Sequence, residues 1–206
     1  DVPRDWELHL FFKDHYGKDK HKSLDHNGSF LEVCEEGDLD IVRAMVERTQ
    51  VDLEARDHSG RTPLHIAVLE RHLPVVQYLC EQGADKEAQI PDLNDEDESD
   101  DENYWGMTPL HIAALKGHLP VVQYLCEQGA DKEARDDGDR TPLHNAAVNG
   151  HLSVVQYLCE QGADKEARDN DDETPLHWAA WNGHLPVMQY LCEQGADKEA
   201  RDNTDY

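Results

Sequence analysis

Residues 141–173 read TPLHNAAVNGHLSVVQYLCEQGADKEARDNDDE, and the stretches on either side nearly repeat them. TPLH opens at Thr62, Thr108, Thr141 and Thr174; the last three are 33 residues apart and the first two 46 apart, which is one period plus 13. Each segment of the copy has a local reading. Thr141 is placed to cap a helix, and Pro142 takes the first helical position, where a missing N–H costs nothing. Ala146 and Ala147 are small enough for close helix contact. Asn149 and Gly150 end this short helix, and LSVVQYLCEQ predicts a second one with Leu152, Val155, Leu158 and Cys159 on one face. Gly162 is placed as a left-handed C-cap, and ADKEARDNDDE reads as an extended, hairpin-like loop into the next copy.

A 33-residue loop–helix–turn–helix period carrying TPLH resembles the ankyrin repeat. An earlier, degenerate copy starts at Ser29, which replaces the capping Thr; Leu39, Ile41 and Val42 keep apolar positions, and Asp52 matches Asp85. The resemblance therefore covers five repeats over 29–206, with an insertion at about 89–103 and an N-terminal extension over 1–28. It implies an all-α solenoid of paired antiparallel helices with projecting hairpins, stabilised by nearest-neighbour stacking. It also implies that the TPLH histidines bond loop backbone and that the histidines seven residues later fix the interhelix turn. Some positions depart from the pattern. Gly60 and Gly106 become Asp139, Asp172 and Asp205, where Asp tolerates a left-handed backbone. Arg71 stands where Gly117, Gly150 and Gly183 close the first helix. Lys-Glu follows each GAD triplet and reads as a solvated hairpin edge.

The formal net charge of −26 opposes nucleic acid and anionic lipid and favours a basic protein partner. No stretch is long and apolar enough for a membrane-spanning helix. Cys34, Cys80, Cys126, Cys159 and Cys192 are expected as reduced, buried thiols. The last four repeat one structural position, and stacked copies separated by about 8–10 Å cannot be bridged. A cytoplasmic protein is the expectation; the alternative, raised by a chain opening on Asp1, is an organellar one after removal of a targeting peptide.

The insertion carries Asp92, Asp95, Glu96, Asp97, Glu98, Asp100, Asp101 and Glu102. In an EF-hand register from Asp92, position six is Asp97 rather than Gly and position twelve is Asn103 rather than Glu, so the calcium reading fails. Asp95 to Glu102 form a solvated loop that can act as an acidic arm for a basic partner, and Ser99 before three acids resembles an acidic-directed kinase site. The paired histidines have no cysteine at ligand spacing, so no metal is expected. No cofactor or catalytic group is expected either: there is no phosphate loop and no nucleophile with an organised base.

The candidate partner-binding residues come from positions that differ between copies. In the resemblance, Ile112 with Leu115, Asn145 with Val148, and Trp178 with Trp181 line the concave side, the second of each pair more exposed. Tyr104 and Trp105 stand at the preceding hairpin tip, and exposed aromatics carry binding energy in interfaces. The expected function is a non-enzymatic protein-binding module. The alternative is a structural subunit of a large, organellar assembly, motivated by residues 1–28 (a helical cap or docking segment bearing Trp6, Phe11 and Phe12) and by a last repeat that keeps its consensus without a cap.

Overall fold

The computed structural model describes residues 26–92 and 104–203. Among them are ten α-helices and no strand. The helices form five pairs: α1 (His26–Glu36) with α2 (Leu39–Arg48), α3 (Pro63–Leu69) with α4 (Leu73–Glu81), α5 (Pro109–Leu115) with α6 (Leu119–Glu127), α7 (Pro142–Val148) with α8 (Leu152–Glu160), and α9 (Pro175–Trp181) with α10 (Leu185–Glu193). First helices stack in one row, α1 on α3, then α5, α7 and α9; second helices stack in another, from α2 to α10. This is an all-helical solenoid, and the Asp95–Glu102 arm, Ser99, Asp205 and the aromatics of the N-terminal extension lie outside its described residues.

Each short first helix begins with the same device. The Thr62, Thr108, Thr141 and Thr174 N–H groups donate to Nδ1 of His65, His111, His144 and His177 at 3.0–3.2 Å, a capping box with histidine where Glu is usual. An Nδ1 that accepts leaves the proton on Nε2. That N–H donates forward, from His65 to the Met107 carbonyl (3.2 Å), His111 to Arg140 (3.0 Å) and His144 to Glu173 (3.2 Å). The seventh-residue histidines reach backward instead: Nε2 of His72, His151 and His184 donates to the carbonyls of Glu35, Leu115 and Val148, each at 2.9 Å. Both expected histidine roles are present, and both cross a repeat boundary.

Ser29 does not cap the first repeat. It lies inside α1, which opens at His26, and the capping carboxylate of this repeat is Asp38, which accepts from Ile41 N–H at the start of α2. Cys34 is buried as expected, but the four repeated cysteines are half-buried; all five are unpaired. The core is Leu64, Leu110 and Leu143 with the small residues behind them in the first row, and Val76, Val122, Val155 and their neighbouring leucines in the second. Asn145 is an exception: it is 1% exposed, and neither amide atom has a hydrogen-bond partner among protein atoms. Such an orphan costs about 1–3 kcal/mol.

The interhelix turn requires a left-handed residue, and its surroundings require a small one. At Gly150 (φ 70°) an added Cβ would fall 2.5 Å from the His184 ring, which occupies that space. Arg71 takes the same turn with φ 65°, and its side chain displaces the histidine that would settle there. His118 accordingly departs from the others, bonding through Nδ1 to the Val68 carbonyl, one residue earlier than the pattern. Asp139 (φ 60°) and Asp172 (φ 59°) hold the hairpin turn in place of glycine, as expected.

Two predictions follow from these contacts. Arg71→Gly should stabilise the fold by about 1 kcal/mol by relieving the left-handed strain, read as a higher urea midpoint, whereas Gly150→Ala should destabilise it by at least as much; equal midpoints would show that the turn tolerates a side chain. Burial holds the His65 and His144 imidazoles down to about 4 against the opposing pull of the carbonyls they bond. These rings take up protons on unfolding, so their stabilisation is complete above the unfolded value of about 6.5 and is lost as pH falls from there toward about 4. Each contributes about 1.4 kcal/mol per pH unit in that window. His144→Gln keeps a capping acceptor without titrating, and should flatten the pH dependence of stability by that amount.

Candidate protein-binding face

The hairpins between helix pairs are held to one another by polar ladders. Arg56 donates to the Gln89 carbonyl (2.9 Å), Gln89 to Arg135 (2.8 Å), Arg135 to Arg168, and Arg168 to Arg201 (2.8 Å). The Lys-Glu strings are more than solvated edges: Glu87, Glu133 and Glu166, and Glu54 at the same position of the first repeat, accept from the N–H of Asp131, Asp164, Asp197 and Asp85 respectively, one repeat on, at 2.8–3.0 Å. These bonds keep successive tips in line.

An acid at the base closes each ordinary tip. Asp57 Oδ1 accepts from Ser59 and Arg61 N–H, and its Oδ2 pairs with Arg61 Nε at 2.7 Å; Asp136 repeats this with Gly138 and Arg140, the ion pair at 3.0 Å. The tip that admits the insertion has Ile90 and Met107 at these two positions, both buried. It keeps the two backbone bonds found in the other tips, Ile90 N–H to the Met107 carbonyl at 3.2 Å and Gly106 N–H to the Ile90 carbonyl at 2.8 Å, and dispenses with the carboxylate. The extra residues therefore leave through a dry neck in which no carboxylate depends on a five-residue turn.

Asp169, in the tip after that of Asp136, keeps the turn bonds but faces Glu173 where an arginine stood before. Its Oδ2 accepts from the Trp178 indole N–H at 2.8 Å. Burial and the carboxylates of Asp169 and Asp171 raise the pKa of Glu173. Trp178 is thus a half-buried structural contact whose polar edge replaces the missing guanidinium; sequence reasoning missed this partner, although Glu at position 173 in the arginine register was the available signal.

The candidate contact residues divide by burial. Ile112 and Asn145 are at most 1% exposed and belong to the core, because the adjoining first helices close over this position; they present no surface to a partner. Leu115 and Val148, one helical turn on, are half-buried. Trp181, in the same register, is 80% exposed. Tyr104 is half-buried with the Lys116 ammonium 5.6 Å from its ring centroid, and Trp105 beside it is 41% exposed while its carbonyl accepts from Asp137 N–H of the next tip at 3.5 Å. The first-helix row thus presents Leu115, Val148 and Trp181 in one line, with Tyr104 and Trp105 at a tip. Leu185, 57% exposed, was not among the expected residues. Among the described residues no group of three or more His, Cys, Asp or Glu is arranged to hold a metal ion, and no helix is long and apolar enough to cross a membrane.

The chain resembles segments of several known proteins. It is 36% identical over 66 residues to palmitoyltransferase akr1 of Schizosaccharomyces pombe, covering 32% of this chain and 10% of that protein. It is 43% identical over 56 residues to the 60 kDa lysophospholipase of Mus musculus (27% of this chain, 10% of that one) and 37% identical over 75 residues to serine/threonine-protein kinase VIK of Arabidopsis thaliana (36% and 17%). The chain thus spans under a fifth of each of these relatives' lengths. The ankyrin-repeat models match residues 8–90, 105–137 and 134–202, so that the first match stops at Ile90 and the next resumes at Trp105, on either side of the insertion. With five stacked helix pairs and three matches that cover most of its length, the chain belongs to the ankyrin-repeat family.

Proposed function

We propose that this domain recognises another protein through the concave first-helix row and the adjoining hairpin tips, without catalysing a reaction. Ankyrin repeats are in general protein–protein interaction modules, which supports the class of function. The observation that supports this surface is Trp181: an indole 80% exposed, in line with half-buried Leu115 and Val148. An aromatic ring of this size loses much apolar area to a partner, and such residues dominate interface energetics.

The partner's contact surface is basic. A net charge of −26 steers a cation-rich surface toward the domain and opposes an acidic one such as nucleic acid. The acidic residues Asp95 to Glu102 sit in sequence between Ile90 and Tyr104, so the arm leaves the fold next to the aromatic tip. An intracellular location suits the thiols: burial pushes Cys34 up to about 12 and Cys80, Cys126 and Cys159 up to about 11, so they stay protonated and unreactive at neutral pH.

Affinity capture with the intact domain, compared with a Trp105→Ala/Trp181→Ala variant of unchanged helical content, tests the surface. Specific partners should be lost or weakened at least tenfold in the variant, and their retention at equal level would mean that binding lies elsewhere. Neutralising Asp95 to Glu102 should leave stability unchanged while lowering the association rate and its salt dependence; an unaltered salt dependence would remove the basic partner from the reading.

A further inference from the structure

Successive hairpin tips are joined by a side-chain amide at one register. Asn170 N–H donates to the Gly138 carbonyl at 3.1 Å while its Nδ2 donates to the Asp137 carbonyl at 3.1 Å; Asn203 repeats the backbone bond to the Asp171 carbonyl at 3.1 Å and places Nδ2 3.4 Å from Asp171 Oδ1. Asp137, 33 residues before Asn170, keeps the backbone bond, here to the Trp105 carbonyl at 3.5 Å. Its side chain has no N–H to give the preceding tip. The carboxylate is exposed, and among the described residues no group donates to it and no cation pairs with it.

That carboxylate explains the glycine at position 106. The left-handed turn itself accepts a side chain, since Asp139 and Asp172 hold it at φ 60° and 59°. At Gly106, however, an added Cβ would fall 2.3 Å from the Asp137 nitrogen and 2.4 Å from its Oδ1. Asp137 is therefore seated directly on the turn that carries Trp105, whose indole is 41% exposed. The same tip already attracts one cation, the Lys116 ammonium 5.6 Å from the Tyr104 ring centroid. An indole face draws a cation by its quadrupole and a carboxylate draws it by charge. A planar guanidinium uses both at once, stacking on the ring and pairing through its fork.

We propose that Trp105 and Asp137 receive an arginine side chain of the protein partner. The inference rests on the reading of this domain as a protein-binding one and names the group that its aromatic tip takes. Charge complementarity selects this occupant: the domain carries −26 overall and Asp137 has no counter-ion of its own. An apolar side chain laid over Trp105 would cover the carboxylate without pairing it, and desolvating an unpaired charge is costly.

The test titrates the isotopically labelled full chain with acetyl-arginine amide and with acetyl-citrulline amide, which keeps the planar shape without the charge. The Trp105 indole N–H resonance, assigned by its loss in Trp105→Phe, should shift saturably with the arginine compound, bound about fivefold more tightly than the citrulline one. Asp137→Asn installs the amide found at Asn170 and Asn203, so the tip is kept, and it should remove most of that difference. Neutralising Asp95 to Glu102 should leave the difference in place. Equal affinity for the two compounds, or an arginine response unchanged by Asp137→Asn, would overturn the proposal. So would a response that vanishes when Asp95 to Glu102 are neutralised, since the arm would then hold the cation. This readout is separate from partner capture: partners lost on Trp105→Ala/Trp181→Ala without any arginine response would overturn this inference alone, and an arginine response with capture unchanged would count against the wider surface and leave this site standing.

Discussion

The threonine–histidine capping box is the interaction on which this array depends. One imidazole accepts the N–H of the threonine that caps its own short helix through Nδ1 and donates to a carbonyl of the next loop through Nε2. A seven-residue helix is far too short to be stable alone. Here its N-terminus is closed by a group that is itself anchored in the following repeat, so helix formation and repeat stacking become one event. The arrangement also explains why the buried rings of His65, His111 and His144 favour the neutral form: a proton on Nδ1 would confront the threonine N–H that the atom accepts, in a site from which water is excluded.

With the caps and the glycine–histidine turns setting the spacing, variation is pushed to places where the framework does not reach. The insertion illustrates this. Ordinary tips rely on a buried aspartate that accepts two backbone N–H groups and an arginine; lengthening the loop would strand that carboxylate at a cost comparable to a lost buried hydrogen bond. Ile90 and Met107 remove the polar requirement at the same site, and two backbone hydrogen bonds close the neck. Trp178 is the complementary case: where Glu173 replaces arginine, an indole N–H supplies the missing donor to Asp169, and the ring becomes part of the scaffold rather than a free contact.

Trp181 belongs to two settings at once. Its register, shared with Leu115 and Val148, is the exposed line of the first-helix row, but those two are shielded by the following repeat and Trp181 is not. Its exposure follows from a surface register in the last described helix pair, and the ring borders the proposed partner-binding face. That face is an apolar patch on an otherwise strongly acidic domain, the circumstance in which a few side chains can decide specificity.

Sequence alone determined the period, the helix pairs, the threonine caps, the left-handed aspartates and the place of the insertion, because each follows from residue types acting within a few positions of one another or from repetition itself. It misassigned Ser29, which imitates a cap while α1 begins upstream at His26. Only the tertiary structure decided which variable residues face solvent: Ile112 and Asn145 share a helix face with Leu115 and Val148, yet the neighbouring first helices bury one pair and leave the other half open. It likewise decided the fate of Trp178, since its partner Asp169 lies in a separate loop, and the displaced ring of His118, whose cause is Arg71 in the preceding repeat. These outcomes depend on contacts between copies, and local chemistry within one copy does not specify them.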